Sequence, residues 1–264
     1  IITVPFASNE RGRGGPKLYG PLEERIAHIA KIAGNWADLK RTPASERRIA
    51  VIMWQSRPET GRIGGAAGLD TIQSIRDMLE RFDDLGYTVD HVPSTSRELI
   101  DEIKDNVTND LEWSSEERVR EKAADMVGLD EYLPEYGKVP EFDRRSMEGT
   151  WGPPPGEITV QDGKFVIPGI VNGNIYIGYQ PLRAWSEKME AVYHDPVLPI
   201  THQYLAFYRW LRNDFGAQAV VHVGTHGTLE WLPGKSVGLS GKCFPDLVLD
   251  GMPDIYPYII DDPG

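Results

Sequence analysis

Short runs of consecutive apolar, β-branched residues alternate along this chain with longer segments whose apolar positions recur every three or four residues. Arg48–Trp54 (RIAVIMW), Asn174–Gln180 (NIYIGYQ) and Ala219–Val223 (AVVHV) show no in–out alternation. Ala219–Val223 predicts a strand buried on both faces, as in a parallel sheet, Arg48–Trp54 a second buried strand, and Asn174–Gln180 another strand. Helical spacing appears in three places. Leu22, Ile26, Ile29, Ala33 and Trp36 predict a helix running to about Leu39, with Pro21 in its first turn and the stripe packed in a core. Ile72, Ile75, Leu79 and Phe82 predict a second helix capped by Asp70 or Thr71. Tyr204, Tyr208, Leu211 and Phe215 predict a third, capped by Thr201 and ended by Asn213–Gly216. Tyr87–Val89 reads as a strand closing a βαβ unit, and Asp162-Gly163 between Ile158–Val160 and Phe165–Ile167 reads as a hairpin turn. Ile255–Ile260 is strand-like, and Pro257 confines it to an edge or a bulged strand.

The polar stretches divide the chain. Residues 1–20, with RGRGG at 11–15, predict a loop or tail. Residues 94–151 are charged and predict a peripheral helical layer broken by Pro134 and Pro140, and WGPPPG at 151–156 is a connection. The expected organisation is an α/β segment at 1–93 with a glycine-rich loop, the helical layer at 94–151, and a second α/β segment at 152–264. The fold class is α/β: a parallel or mixed sheet with flanking helices in Rossmann-like or flavodoxin-like layers, plus the peripheral helical segment.

Candidate chemistry concentrates at residues 218–242, QAVVHVGTHGTLEWLPGKSVGLSGK. The buried strand breaks at Gly224-Thr225-His226-Gly227, and a helix-competent Thr228–Leu232 precedes Pro233-Gly234. Ligands of open α/β sheets bind beyond the carboxyl ends of the strands, where this histidine falls. His222, His226 and Glu230 are spaced by four, so a helix starting directly after the turn places His226 and Glu230 on one face. Imidazole and carboxylate together can hold a borderline divalent metal or move protons. The alternative at this stage is a hydrogen-bonded core histidine at 222 and a solvated charge at 230. Arg62 in the glycine-rich loop is a candidate partner for a substrate carboxylate, and strand-end Tyr179 and Gln180 are candidates to border the same crevice. A surface arginine, a buried tyrosine and a turn glutamine are the competing readings.

Several classes are excluded. The glycines at 61–68 do not follow GxGxxG, and Gly227 and Gly234 are separated by six residues with a proline among them, so neither is a nucleotide-phosphate loop. No serine-hydrolase elbow and no HExxH is present. The net charge of −12 argues against non-specific nucleic-acid binding and against an anionic membrane surface. No apolar run is long enough to span a bilayer, and Cys243 alone allows no internal disulfide, which fits a reducing cytoplasm.

The run HVGTHGTLEWLPGK, preceded by HQYLAFYRWLRNDFGAQAVV and followed by KCFPDLVLDGMPDIYPYIIDDPG, resembles the large subunit of the cobaltochelatase and magnesium chelatase family. The similarity extends to GNIYIGYQPLRAW (173–185) and YHDPVLP (193–199), and more loosely to residues 57–74 and 84–93. It covers about two thirds of the chain, with 1–45 and 95–155 contributing least, and its wording is nearer the cobalt branch. Family members are much longer, so the resemblance implies an internal fragment. It further implies ATP-dependent insertion of Co²⁺ into hydrogenobyrinic acid a,c-diamide, or of Mg²⁺ into a protoporphyrin in the other branch. ATP is then hydrolysed by separate AAA+ subunits and not bound here. The residues expected to act are His226 and Glu230 as catalytic groups, with His222, His226 and Glu230 as metal ligands. Arg62, Tyr179, Gln180 and Trp231 are expected at the tetrapyrrole. A structural or subunit-docking module, with partner contacts on 94–151, is the reading from another class.

Overall fold

The computed structural model describes residues 7–10, 18–54, 68–109, 111, 114–184, 195–224, 227–235 and 238–257. The strands are β1 Ala7–Glu10, β2 Leu18–Pro21, β3 Ile49–Met53, β4 Asp125–Val127, β5 Val160–Gln161, β6 Lys164–Ile167, β7 Ile170–Asn172, β8 Ile175–Tyr179, β9 Ala219–Val223 and β10 Asp254–Ile255. The helices are α1 Glu23–Arg41, α2 Thr71–Asp84, α3 Ser96–Asp105, α4 Glu116–Lys122, α5 Leu129–Tyr136, α6 Glu141–Trp151, α7 His202–Asn213 and α8 Phe244–Leu249.

Five strands form the central sheet in the order β10-β9-β3-β8-β7, parallel except for β7 at one edge. Every residue of β3, β8 and β9 is buried. Successive residues alternate between two cores. Ala50, Ile52, Tyr176 and Val220 face a cluster with Tyr132, Phe165, Phe207, Trp210 and Phe244. Val51, Met53, Ile177 and Val221 face Ile72, Ile75, Leu79 and Ile103 of α2 and α3. Helices cover both faces, which is why these strands read as unbroken apolar runs. Each fully buried aliphatic side chain contributes about 1.5–3 kcal/mol.

The caps form as the sequence predicts: Asp70 accepts from Gln73 N, and Thr201 from Tyr204 N. The β5–β6 hairpin turns at Asp162 and Gly163, both with positive φ. β10 lies at the sheet edge but is only Asp254–Ile255 and stops before Pro257; residues 258–260 of the strand expected at Ile255–Ile260 lie outside the described residues.

The structure differs from expectation in five places. Residues 7–10 and 18–21 pair as an antiparallel ribbon where a loop or tail is expected. Tyr87–Val89 is not a strand: Thr88 O accepts from Asn174 N, because the β7–β8 hairpin occupies that side of the sheet. The parallel neighbours of β3 are β8 and β9, both far along the chain. The charged 94–151 region contains strand β4, which pairs with β6, and Pro134 sits inside α5. Tyr132, Tyr136 and Met147 of its helices join the main core. The α1 stripe is not core, since Ile26 and Trp36 are about half exposed. α1 docks instead through buried Arg25, paired with Asp246 of α8, and through Asn35 Nδ2 donating to Gly251 O at 2.8 Å. Finally, Thr228–Leu232 makes only a single 3₁₀ turn, Leu229–Trp231.

Candidate functional site

The carboxyl ends of β3, β8, β9 and β10 lead into Trp54, Gln180, Gly224 and Tyr256. Trp54 N donates to Val223 O at 3.2 Å, and a Cβ on Gly224 (φ 152°) would stand 3.0 Å from Trp54 Cβ. Glycine is therefore required where β9 opens into the motif.

Gln180 is the centre of the hydrogen bonding beyond these strand ends. It is 2 % exposed. Its backbone N donates to Met53 O, its Oε1 accepts from Thr228 N at 2.8 Å, and its Nε2 donates to Tyr204 and Tyr208 hydroxyls at 3.0 and 2.9 Å. Asn109 Nδ2 donates to its carbonyl. Having accepted from Gln180, the Tyr204 hydroxyl donates to Thr228 Oγ1 at 2.9 Å, and the Tyr208 hydroxyl donates to His222 Nε2 at 3.2 Å. Burial pushes both tyrosine pKa values up, so both stay protonated donors.

His222 Nδ1 lies 2.8 Å from Asp254 Oδ1. A carboxylate can only accept, so Nδ1 carries the proton and Nε2 is the acceptor. Both ring nitrogens are thus engaged. Beside it, the Tyr256 ring lies 5.0 Å from the imidazole centroid, and its hydroxyl donates to the Glu230 carboxylate at 3.2 and 3.3 Å. A Cβ on Gly227 would collide with that hydroxyl. Arg183 is completely buried and donates to Trp231 O, Asp195 O and Leu198 O at 2.9, 3.0 and 2.8 Å. Asp195 Oδ1 in turn accepts from Val197 N and Leu198 N.

Of the residues expected to act, Glu230 is exposed at these strand ends, its carboxylate beside the Tyr256 hydroxyl. His222 and Gln180 are buried supports within their own hydrogen-bonded network, which Glu230 meets through the Tyr256 ring packed against the His222 imidazole. Trp231 is half-buried, its carbonyl held by Arg183. Tyr179 turns into the apolar layer beneath α2 and is fully buried, so its expected place at a substrate is replaced by packing. His226 and Arg62 lie outside the described residues. Among the described residues, Glu230 lies in a single 3₁₀ turn that begins only at Leu229, and the His226 end of the expected shared face falls outside them. Sequence reasoning missed Asp254, Tyr256 and Arg183, and took Tyr204 and Tyr208 only as a packing stripe. An arginine directly behind a buried strand, in QPLRAW, was the available signal for Arg183. A cleft of about 320 Å³ between α1, α5 and α8 lies apart from these strand ends, and its Lys31–Asp250 and Lys138–Glu135 pairs match charge internally.

Comparison with known proteins gives the class to which a chain with these strand ends and this motif belongs. The CobN/Magnesium Chelatase family model matches residues 1–264, and the chain belongs to that family. It is 40% identical over its full length to the aerobic cobaltochelatase subunit CobN of Pseudomonas aeruginosa, of which it covers 21%. It is 31% identical over its full length to a magnesium-chelatase subunit of Chlorobaculum parvum, again covering 21%. The catalytic subunit of cobaltochelatase from Mycobacterium tuberculosis superposes with a TM-score of 0.82 at 37% identity, over 100% of this chain and 22% of that one. The chain thus spans about a fifth of the length of these relatives. Among the described residues no helix is long and apolar enough to cross a membrane.

Proposed function

We propose that this chain handles the macrocycle and the metal within a cobaltochelatase-type large subunit, which inserts Co²⁺ into hydrogenobyrinic acid a,c-diamide while AAA+ partner subunits hydrolyse ATP. The carrying observation is the seating of Gly227–Trp231 over the carboxyl ends of the strands by Gln180 and Arg183, with Glu230 turned outward. The higher identity to a cobaltochelatase subunit, 40% against 31%, favours cobalt over magnesium.

Insertion requires Co²⁺, the substrate metal, to shed water while ring nitrogens lose protons. The Glu230 carboxylate accepts such a proton, held in position by the Tyr256 hydroxyl. His226, next to Gly227 in the chain, serves as the metal perch or as a second base. Trp231 and Arg62 are the contacts proposed for the ring and its carboxylates. His222 supports the site from β9 as a positioning residue, both its nitrogens being occupied.

The test titrates the chain with hydrogenobyrinic acid a,c-diamide and, separately, protoporphyrin IX, following tryptophan quenching, with His226→Ala and Glu230→Ala beside wild type. Selective binding of the corrin precursor, weakened by either substitution, is the expected result. Preference for the porphyrin moves the assignment to the magnesium branch. Binding of neither by a folded chain overturns the site and leaves the subunit-docking reading.

A further inference from the structure

Three donor atoms from two separate segments converge at the end of the sheet opposite Gln180. His91 lies on the stretch after α2, and Glu98 and Glu102 stand one turn apart on α3. His91 Nε2 is 3.5 Å from Glu98 Oε1 and 3.1 Å from Glu102 Oε1, and the three ligand atoms lie within 4.8 Å of one another. Ligand bonds of about 2.0–2.2 Å around one divalent ion place neighbouring donors roughly 3 Å apart.

The frame is fixed before any ion arrives. Asn172, at the end of β7, accepts from His91 N at 2.9 Å and donates to His91 O at 2.6 Å. Glu98 Oε2 accepts from Ser94 N at 2.6 Å, so its other oxygen faces His91. A separate observation concerns charge. On the same helix Asp101 pairs with Arg97 at 3.0 Å, and on α2 Glu80 pairs with Arg76 at 2.6 Å. Among the described residues neither Glu98 nor Glu102 has a lysine or arginine at ion-pair distance. Two carboxylates gather instead around one imidazole.

We propose that His91, Glu98 and Glu102 bind one divalent transition-metal ion of the zinc, cobalt and nickel class, with water in the remaining positions. One imidazole nitrogen beside two carboxylates suits such ions better than Mg²⁺ or Ca²⁺, which prefer oxygen alone. The bound ion ties the stretch before α3 to that helix, at the far end of β8 from Gln180.

The test is calorimetric titration of the 264-residue chain with ZnCl₂ in a His226→Ala background, which removes the motif histidine as a competing ligand. One equivalent bound at micromolar concentration is expected, with His91→Ala and Glu102→Gln each weakening it at least about tenfold. Millimolar Mg²⁺ is expected not to displace the zinc. His91 and Glu102 side chains are 53% and 36% exposed, so both variants keep the fold, checked by circular dichroism. Absence of saturable binding, binding untouched by either substitution, or displacement by Mg²⁺ overturns the site.

Discussion

His222 Nδ1 donates to Asp254 Oδ1 at 2.8 Å, across the neighbouring strands β9 and β10. That bond fixes the tautomer, turns Nε2 toward Tyr208, and through Tyr208 and Gln180 joins the sheet edge to the backbone of the 227–231 turn. Asp254→Asn keeps the shape but can present an N–H in place of the acceptor. In the assembled chelatase, metal insertion is expected to fall about tenfold or more, while the midpoint of thermal unfolding changes little. An unchanged insertion rate counts against the positioning role of His222.

Gln180→Leu removes both halves of a buried amide and leaves Thr228 N and two tyrosine hydroxyls short of a partner. The two hydroxyls keep their bonds to Thr228 Oγ1 and His222 Nε2, so the expected loss is about 1–3 kcal/mol for the unsatisfied Thr228 N. Urea unfolding reads it directly, and the tetrapyrrole binding proposed for this chain is expected to weaken in the same variant as the turn loosens.

Arg183→Met tests the other anchor. The guanidinium is wholly buried among the carbonyls of Trp231, Asp195 and Leu198. Methionine fills part of the volume but leaves those acceptors unpaired, so a loss of at least about 2 kcal/mol is expected in denaturant unfolding. Lysine does not rescue it, because one ammonium cannot reproduce the planar fork.

Tyr256→Phe and Gly227→Ala separate the support of Glu230 from the proton acceptance proposed for it. The first removes the hydroxyl that donates to the carboxylate, and the second drives a methyl group into the place of that hydroxyl. Both are expected to slow metal insertion, Tyr256→Phe by less than Glu230→Gln. Steady-state rates across the three variants give the order.

His202 gives a pH dependence unconnected with the site. Burial lowers its pKa from the usual 6.5, while Nε2 donates to Gly152 O and Nδ1 accepts from the Tyr132 hydroxyl. The unfolded chain therefore binds a proton more readily than the folded one. Its contribution to stability is present above about pH 6.5 and is lost as pH falls from there through the lowered folded value. His202→Gln can keep both hydrogen bonds without titrating. Between pH 7 and 5 its thermal midpoint is expected to fall less than that of wild type.

Most of the strands and caps were legible in the sequence because they depend on local pattern. Apolar runs at 49–53, 175–179 and 219–223 have nowhere to go but between two helical layers, and Asp70 and Thr201 cap their helices through bonds three residues away. The likeness of the 218–242 stretch to chelatase large subunits was equally a property of the string. Which residues hold that stretch was decided only by the fold. Asp254 meets His222 because β10 returns beside β9, and Gln180 meets Thr228 because β8 and β9 flank β3. The helix expected at 228–232 shrinks to one turn, with Thr228 N bonded to Gln180 and Trp231 O to Arg183. Periodicity reports a residue's preference along its own segment. It carries no record of partners 30 to 50 positions away, whose hydrogen bonds outweigh helix propensities of under about 1 kcal/mol per residue.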